Sequence, residues 1–297
     1  MKKQELKNLY QRKENYIDSK LKSLEGDVKT MQRRLLEMIM GDYVGRFQVK
    51  DGLIVVNEYN MRLARELEEI MDKFNLKFQK SVLKEFATGM LKVTDFSVDY
   101  YKGMGFAESK LNSIAEGLGY ISERIGISDS GRILKGSYLD SLSKNAEVRK
   151  EIKNYVINSV AGQKNYSEYL KGMKELIVGN DLVEGTLQRY YEQFAYDTYH
   201  QVSRAMEKHF ADSLGLKHFI YMGSLKDTSR AFCIKKAGKV FSIEETKDWK
   251  DDPDLIGKSK EGYNPLIDMG RWRCRHEPRY ISQELACEMR EDLCENE

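Results

Sequence analysis

Apolar residues recur along the first forty positions with the spacing of a helix. Between positions 17 and 38 they follow one another in alternating steps of four and three, at Ile17, Leu21, Leu24, Val28, Met31, Leu35 and Met38. A seam of this kind repeats every seven residues and predicts one long helix. Two interpretations are open: a coiled coil or helical hairpin arm, and an ordinary amphipathic helix on a globular core.

A short β-rich stretch follows the predicted helix. In GRFQVKDGLIVVN the pair Asp51-Gly52 separates two β-prone runs, and both residues tolerate the positive φ of a tight turn. We therefore expect a β-hairpin within residues 46–56. Helical spacing resumes at Glu58 and continues to about Ile125, where the Ser- and Gly-rich stretch ISDSGRILKG marks a connection.

Further helical stretches lead from this connection to Gly215. One of them, NYSEYLKGMKELIVGN, has Ser167 as its expected N-cap and Gly179-Asn180 as its expected stop. The last is the long stretch TLQRYYEQFAYDTYHQVSRAMEKHFADSLG, which we expect to end at Gly215.

The pattern changes after Gly215. LKHFIYMG predicts a strand, DTSRAFCIKKAGKVFSIEE a loop, a short helical turn and a second strand, and RWRCRHEPRYIS a third strand. The expected fold class is therefore α+β and predominantly helical. It has long N-terminal helices, a helical middle and a small C-terminal α+β module at 216–282 with a few short strands.

The same pattern divides the chain into four regions. They are an N-terminal helical arm with its hairpin at 1–56, a helical region at 57–135, a region at 136–282 that ends in the module, and an acidic tail at 283–297. The tail ELACEMREDLCENE has six acidic residues against Arg290 alone. We expect such a tail to be solvated or bound to a partner.

Composition argues against several classes of protein. The 297 residues include 49 Lys and Arg and 47 Asp and Glu, so no global basic field favours nucleic acid or a membrane surface. No apolar run reaches the roughly eighteen residues of a membrane-spanning helix, and the N-terminal stretch lacks the apolar region of a signal peptide. Reduced, intracellular thiols are therefore expected for the four cysteines.

The sequence RWRCRHE carries the most specific candidate chemistry. If it is a strand, alternate residues face opposite sides, so Trp272, Cys274 and His276 point inward and the arginines form the outer face. Cys274 and His276 would then bind one structural zinc ion with Cys233 as the third ligand. The fourth ligand is left open among Cys287, His218 and Asp227.

Two other interpretations of the same residues stand beside the zinc site. In the first, no cofactor is bound and the thiol of Cys274 packs as a small hydrophobe beside a hydrogen-bonded histidine. In the second, Cys274 and His276 form a catalytic dyad whose thiol is activated by neighbouring arginines. The dyad is disfavoured because inward-facing residues are poorly placed for a substrate and no third group orients them.

The element DTSR predicts a structural role for its two charged residues. Asp227 at the start of a turn satisfies nearby backbone N–H groups, and Arg230 lies close enough to pair with it across the turn. Such a pair would hold the loop that presents Cys233.

At this point the chain resembles the phage Mu F-like minor head proteins, also known as phage head morphogenesis proteins. The resemblance covers residues 152–282 and rests on four elements in order: the long helix FAYDTYHQVSRAMEKHFADSLG before a strand, the Asp-Arg element DTSRAFC, the glycine turn AGKVFS, and the Cys/His element RWRCRHE. Two positions depart from the family pattern. Lys236 stands where many members have a second cysteine, and His276 stands where they have the last one.

The resemblance implies a structural virion component that acts in capsid assembly and in DNA packaging or delivery. Its implied partners are the portal or major capsid protein, with phage DNA as a further partner and no membrane; its implied location is the head interior or portal region, and the bacterial host cytoplasm during assembly. The N-terminal arm offers a homo-oligomer contact if its seam is a coiled coil.

No enzyme is expected, because the chain has no P-loop, no G-x-G-x-x-G after a strand, no H-E-x-x-H and no G-x-S-x-G. Two alternative functions remain open: a zinc-stabilised nucleic-acid-binding module, and a toxin-like enzyme that uses His276 and the nearby arginines.

Overall fold

The fold follows the expected class. The computed structural model describes residues 3–119, 123, 125–128, 132–144, 146–257 and 261–294. The chain is mostly helical (68%), with long N-terminal helices and a small three-stranded antiparallel sheet near its C-terminus. The prediction of a predominantly helical α+β fold is therefore confirmed.

Five helices and a hairpin make up the first part of the chain. The helices are α1 (Lys3–Asp42), α2 (Glu58–Phe78), α3 (Lys84–Leu91), α4 (Val93–Gly103) and α5 (Glu108–Glu116). The hairpin consists of β1 (Val49–Lys50) and β2 (Leu53–Ile54). A 3-10 turn at Val44–Arg46 precedes the hairpin, and a π-helical turn at Gln79–Leu83 joins α2 to α3.

The second part continues with helices and then forms the sheet. The helices are α6 (Tyr138–Lys144), α7 (Ala146–Ala161), α8 (Tyr166–Val178) and α9 (Thr186–Leu214). After α9 come β3 (His218–Met222), α10 (Ala231–Lys236), β4 (Val240–Ser242), a 3-10 segment at Glu244–Asp251, α11 (Pro265–Asp268), β5 (Glu277–Ile281), α12 (Gln283–Met289) and a 3-10 turn at Glu291–Leu293.

The chain forms two compact units, each assembled from separate stretches. The first consists of Met1–Ile17, Met90–Ile121 and Ala195–Glu297, and the second of Asp18–Gly89 and Ser122–Phe194. The divisions fall inside α1, α3 and α9, whereas the regions predicted from the sequence were contiguous. A long helix contributes side chains to more than one core, and the local pattern that marks loops does not report this.

The seam of α1 is buried within the chain. In the second unit, Leu24, Val28, Met31 and Leu35 are each at most 7% exposed. Beside them the side-chain oxygen of Gln32 accepts a hydrogen bond of 2.6 Å from the backbone N–H of Gln188. This is the arrangement of an amphipathic helix on a globular core, the second of the two interpretations of the seam.

The predicted hairpin and helix ends are mostly confirmed. Asp51 and Gly52 have φ of 52° and 78°, so both central residues of the turn are left-handed, and Val49 pairs with Ile54 across it. Gly179, at φ 87°, ends α8 as expected. The N-cap of α8 was wrongly assigned to Ser167: it is Asn165, whose side-chain oxygen accepts from the backbone N–H of Ser167.

The sheet of the first unit has β3 at its centre. Its order is β4-β3-β5, and both pairings are antiparallel. Phe219 of β3 lies opposite Phe241 of β4 and Tyr280 of β5, and Trp249 packs edge-on against Phe219 with ring centroids 6.0 Å apart. These aromatic contacts form a dense core around β3, beside β5, the strand that directly follows Cys274 and His276.

The acidic tail is not a solvated extension over its described residues, 283–294. Ala286 of α12 is fully buried in a cluster with Ile220, Val240 and Ile281. Its neighbours Leu285, Met289 and Leu293 pack against the same cluster at helical spacing, which outweighs the acidic composition between them. The expectation of solvent exposure is therefore corrected.

Two of the four cysteines are also not reduced. Cys287 and Cys294 form a disulfide across the end of α12, whereas Cys233 and Cys274 are free and buried. Cys287 and Cys294 are seven residues apart in sequence, and their Cα atoms are 4.7 Å apart because the chain folds back after α12.

Among the helices that the structure describes, none combines the length and the apolar composition needed to cross a membrane.

Candidate metal centre

The three candidate ligands converge at the carboxyl end of β3. Cys233 lies on α10, and Cys274 and His276 lie in the segment between α11 and β5. All three are at most 3% exposed. The two sulfur atoms are 3.9 Å apart, and Nδ1 of His276 is 3.7 Å from Sγ of Cys274. Ligand atoms of the three residues all lie within 4.8 Å of one another.

These distances fit a tetrahedral zinc ion. Zinc binds thiolate sulfur at about 2.3 Å and imidazole nitrogen at about 2.0–2.1 Å, which puts two bound sulfurs about 3.8 Å apart and a sulfur and a nitrogen about 3.6 Å apart. The observed sulfur–sulfur distance of 3.9 Å and sulfur–nitrogen distance of 3.7 Å are close to these ligand–ligand distances. Two thiols and one imidazole are also the donor types that zinc prefers in structural sites.

The backbone wraps around the sulfur of Cys274. Three non-glycine residues near it have positive φ: Met269 at 50°, Arg271 at 66° and Arg273 at 54°. Within this turn the backbone N–H of Gly270 donates to Sγ of Cys274 at 3.3 Å. A side chain at position 270 would overlap Sγ of Cys233, so only glycine fits there.

This turn corrects the predicted third strand. β5 begins at Glu277, and the residues before it form a turn with left-handed conformations instead of an extended segment. Cys274 and His276 do point inward as predicted, but Trp272 is 54% exposed and does not share their face. Strand alternation fails here because the positive φ values of Arg271 and Arg273 reverse the direction of the chain.

Arg230 holds the turn in a way that differs from the prediction. Its guanidinium donates to the carbonyl of Gly270 at 3.0 Å and also to the carbonyl of Trp272. Asp227 is exposed, and within the described residues its carboxylate makes no hydrogen bond or ion pair, so the expected Asp227–Arg230 pair is not formed. The guanidinium fork matches two nearby carbonyls, and these compete successfully with an exposed carboxylate.

Helix α9 fixes the same turn from its other side. Arg204, which is 2% exposed, donates to the carbonyls of His276 at 2.9 Å, Ile267 at 2.7 Å and Cys274. Asp197, about two helical turns earlier on the same face, accepts a hydrogen bond of 2.7 Å from the backbone N–H of Arg273. Sequence reasoning did not identify either residue.

The two thiols of the cluster differ in acidity. The hydrogen bond from Cys233 holds the pKa of Cys274 well below its ordinary value, against the effect of burial, and His276 and Arg204 contribute in the same direction. The same bond raises the pKa of Cys233, together with burial. Of the two thiols, Cys274 is therefore the one that loses its proton more readily to a cation.

A buried ionic network lies in the same unit and was also missed. Lys13 contacts Glu207 at 2.8 Å and Glu277 at 3.1 Å, and Arg279 contacts Glu207 at 2.7 Å. All four side chains are at most 2% exposed, and Nδ1 of His200 lies 3.6 Å from Glu277. Burial would raise the pKa of both glutamates, but the cations Lys13 and Arg279 hold the pKa of each below its ordinary value.

None of the residues suggested as a fourth ligand joins the cluster. Cys287 is held in the disulfide, and His218 is at the opposite end of β3, paired with Ile281. Lys236, at the position where the resemblance expects a cysteine, directs its ammonium to Asp252 at 2.6 Å and over the ring of Phe232.

No protein-family model, no curated protein and no solved structure matches this chain.

Proposed function

We propose that this chain is a structural minor head protein of a tailed phage or prophage, whose C-terminal module is held together by one zinc ion. In this proposal the protein acts in capsid assembly and in DNA packaging or delivery. It binds the portal or major capsid protein and is located in the head interior or portal region.

One observation carries the proposal. The stretches behind the resemblance are distant in sequence, yet they form one module: α9, β3, α10 with Arg230, β4 and the Cys274 turn. At its centre lie Cys233, Cys274 and His276 at zinc distances, all at positions where the resemblance expects cysteines, with His276 in place of the last one. A cluster that ties together segments 41 residues apart suits a structural role, since small modules gain much of their stability from such a metal.

The burial of the cluster supports assembly over catalysis. His276 is 2% exposed, Cys274 is 3% exposed, and the backbone turn of 269–273 covers the sulfur. A substrate would have to displace this turn, which Arg204 and Arg230 hold through five hydrogen bonds to carbonyls. The toxin-like enzyme is therefore the weaker alternative.

A nucleic-acid-binding module is the second candidate, and the exposure of Trp272 favours it. The indole is 54% exposed, and the neighbouring Arg273 is exposed as well. Together they provide a stacking surface and a positive charge for single-stranded nucleic acid. In this candidate the zinc centre is the scaffold of a DNA contact. Its distinguishing property is binding to DNA that weakens with salt and with Trp272→Ala.

Two measurements on native material test the proposal. Mass spectrometry of purified procapsids and phage particles should detect the chain at low copy, and disruption of its gene should give defective or poorly infectious particles. Elemental analysis of the purified full chain should find about one zinc per chain. The zinc should be lost in Cys274→Ser and retained when Cys287 and Cys294 are both changed to serine.

Absence of the chain from particles at every assembly stage would overturn the head-protein role. Absence of stoichiometric zinc would overturn the metal centre and leave a packed pair of thiols. Because the two readouts are separate, one part of the proposal can fail without the other.

A further inference from the structure

We propose that the phenol oxygen of Tyr221 is the fourth ligand of the metal centre. This inference rests on the metal centre of the proposed function and completes its ligand set as two sulfurs, one nitrogen and one oxygen. Tyr221 lies at the carboxyl end of β3, the central strand of the sheet.

The position of the hydroxyl carries the inference. Oη of Tyr221 is 3.4 Å from Sγ of Cys233 and 3.9 Å from Sγ of Cys274. Zinc binds protein oxygen at about 2.0–2.2 Å, so a bound oxygen and a bound sulfur stand about 3.5–3.7 Å apart in a tetrahedral site. The two distances lie on either side of that value. The hydroxyl therefore lies beside both sulfurs at about the separation that a fourth tetrahedral ligand would have.

The rest of the tyrosine is fixed in this orientation. Its backbone N–H donates to the carbonyl of Lys239 at 2.9 Å, and its carbonyl accepts from the N–H of Gly238 at 2.8 Å. Its ring packs edge-on against Phe232 and Trp249, with centroids 6.3 Å and 5.7 Å away. A ligand on a central strand with a packed ring is held in place before the metal arrives.

The hydroxyl is aimed at the cluster and nowhere else among the described residues. Tyr221 is fully buried, and among the described residues the hydrogen-bond contacts of its Oη are those with the two cysteine sulfurs. Gly270 lies against the same cluster, since a Cβ at that position would overlap the Sγ of Cys233 and lie in contact with Oη of Tyr221. A buried hydroxyl needs a strong polar partner, and a metal ion supplies one.

Coordination requires the phenol to lose its proton to the metal ion, because burial and the two neighbouring cysteines raise the pKa of Tyr221 in the metal-free chain. With both thiols and the phenol deprotonated, three negative donors meet one divalent cation, and the ligand protons leave to solvent. The remaining negative charge is faced by two guanidinium groups: Arg204 bonds the carbonyl of Cys274, and Arg230 bonds that of Gly270. His276 completes the set as a neutral donor.

Near-ultraviolet difference spectroscopy of the full chain tests the coordination. Adding Zn²⁺ to the metal-free, reduced protein should produce the absorption band of a tyrosinate, with a stoichiometry of one per chain. The band should disappear in Tyr221→Phe and persist in Tyr280→Phe. Tyr280 is a suitable control because it is buried on the neighbouring strand and its hydroxyl has no hydrogen-bond partner among the described residues. The affinity of Tyr221→Phe for Zn²⁺, measured by competition with a chelator, should fall at least about tenfold.

The outcomes separate this inference from the metal centre itself. Zinc bound at one per chain without a tyrosinate band would overturn coordination by Tyr221 and leave a three-ligand centre with a hydrogen-bonded phenol. A band that persists in Tyr221→Phe would overturn it as well. No zinc binding by the wild-type chain would overturn both proposals. The wild-type spectrum decides the question even if Tyr221→Phe fails to fold.

Discussion

Arg204 illustrates how one buried side chain positions a candidate site. Its guanidinium binds three backbone carbonyls, two of which belong to the candidate ligands Cys274 and His276. Arg204 is 2% exposed, so removal of its guanidinium would leave these carbonyls without their donors in a largely buried place. The charge itself is tolerated because it is fully used in hydrogen bonds.

We predict that Arg204→Met lowers the free energy of unfolding by about 3–5 kcal/mol, since it leaves several buried carbonyls without donors. Urea denaturation followed by circular dichroism measures the effect. Arg189→Met on the same helix is the matched control: Arg189 pairs with Glu151 at a half-exposed site, so its loss should cost less than about 1 kcal/mol. Similar losses for the two variants would contradict the role assigned to Arg204.

Buried polar residues on α9 left a signal that could have been noticed in the sequence. His200, Ser203, Arg204 and Glu207 recur at steps of three, one and three, which places them on one helical face. All four are buried. A polar face on a helix is more often solvated, and only the tertiary structure shows that this one faces a buried network.

At the scale of elements, the seam of α1 shows why a heptad pattern leaves its partner open. The spacing specifies a helix with one apolar stripe, and a stripe is buried equally well by another chain or by the same chain. Here the seam residues Leu24, Val28, Met31 and Leu35 are buried within the chain.

We predict that Val28→Glu destabilises the chain by at least about 3 kcal/mol, because it buries a carboxylate without a partner. Arg33→Glu, an exposed change on the same helix, should alter the unfolding free energy by less than about 0.5 kcal/mol. Thermal unfolding and size-exclusion chromatography, run together, check this. If Val28→Glu instead lowers the oligomeric mass while the melting temperature stays unchanged, the seam is a contact between chains.

The Cys274 turn, residues 269–273, shows that an alternating pattern can also predict the wrong backbone conformation. Alternating residues in RWRCRHE are typical of a strand, yet Arg271 and Arg273 adopt positive φ. The energy for these conformations comes from partners distant in sequence, among them Arg230 and Asp197. Local propensity does not include such partners.

At the scale of the whole molecule, the buried ionic network should make stability depend on pH. Lys13 and Arg279 hold the pKa of Glu207 and Glu277 below the ordinary value. A glutamate whose pKa is lower in the folded state binds fewer protons there than in the unfolded chain. Its contribution is therefore complete above the unfolded pKa of about 4.3 and is lost as the pH falls through the folded pKa. Asp197, whose pKa burial raises, acts in the opposite direction.

We predict that the free energy of unfolding falls steeply between about pH 5 and pH 3, by more than exposed carboxylates alone would produce. Denaturant titrations at several pH values measure this slope. Glu207→Gln should be less stable at pH 7 and show a shallower slope, whereas Glu37→Gln, an exposed change on α1, should keep the wild-type slope. Parallel slopes for wild type and Glu207→Gln would contradict the role of the network.

The sequence by itself determined the elements and much of the candidate site. Apolar periods of 3.6 and 2 residues specify helices and strands, and Asp51-Gly52 specifies a left-handed turn, because these features depend only on neighbouring residues. The choice of Cys233, Cys274 and His276 as one cluster followed from ligand chemistry, and the structure brings them together.

Only the tertiary structure decided what these elements contact. It placed Trp272 outward, joined Cys287 to Cys294, buried the seam of α1 in its own chain, and brought Tyr221 beside the two free sulfurs. Each of these outcomes depends on groups that are far apart in sequence and meet only after folding. A local pattern shows how side chains are spaced along the sequence but not which groups they contact. Those contacts decide whether a residue packs, pairs or binds a metal.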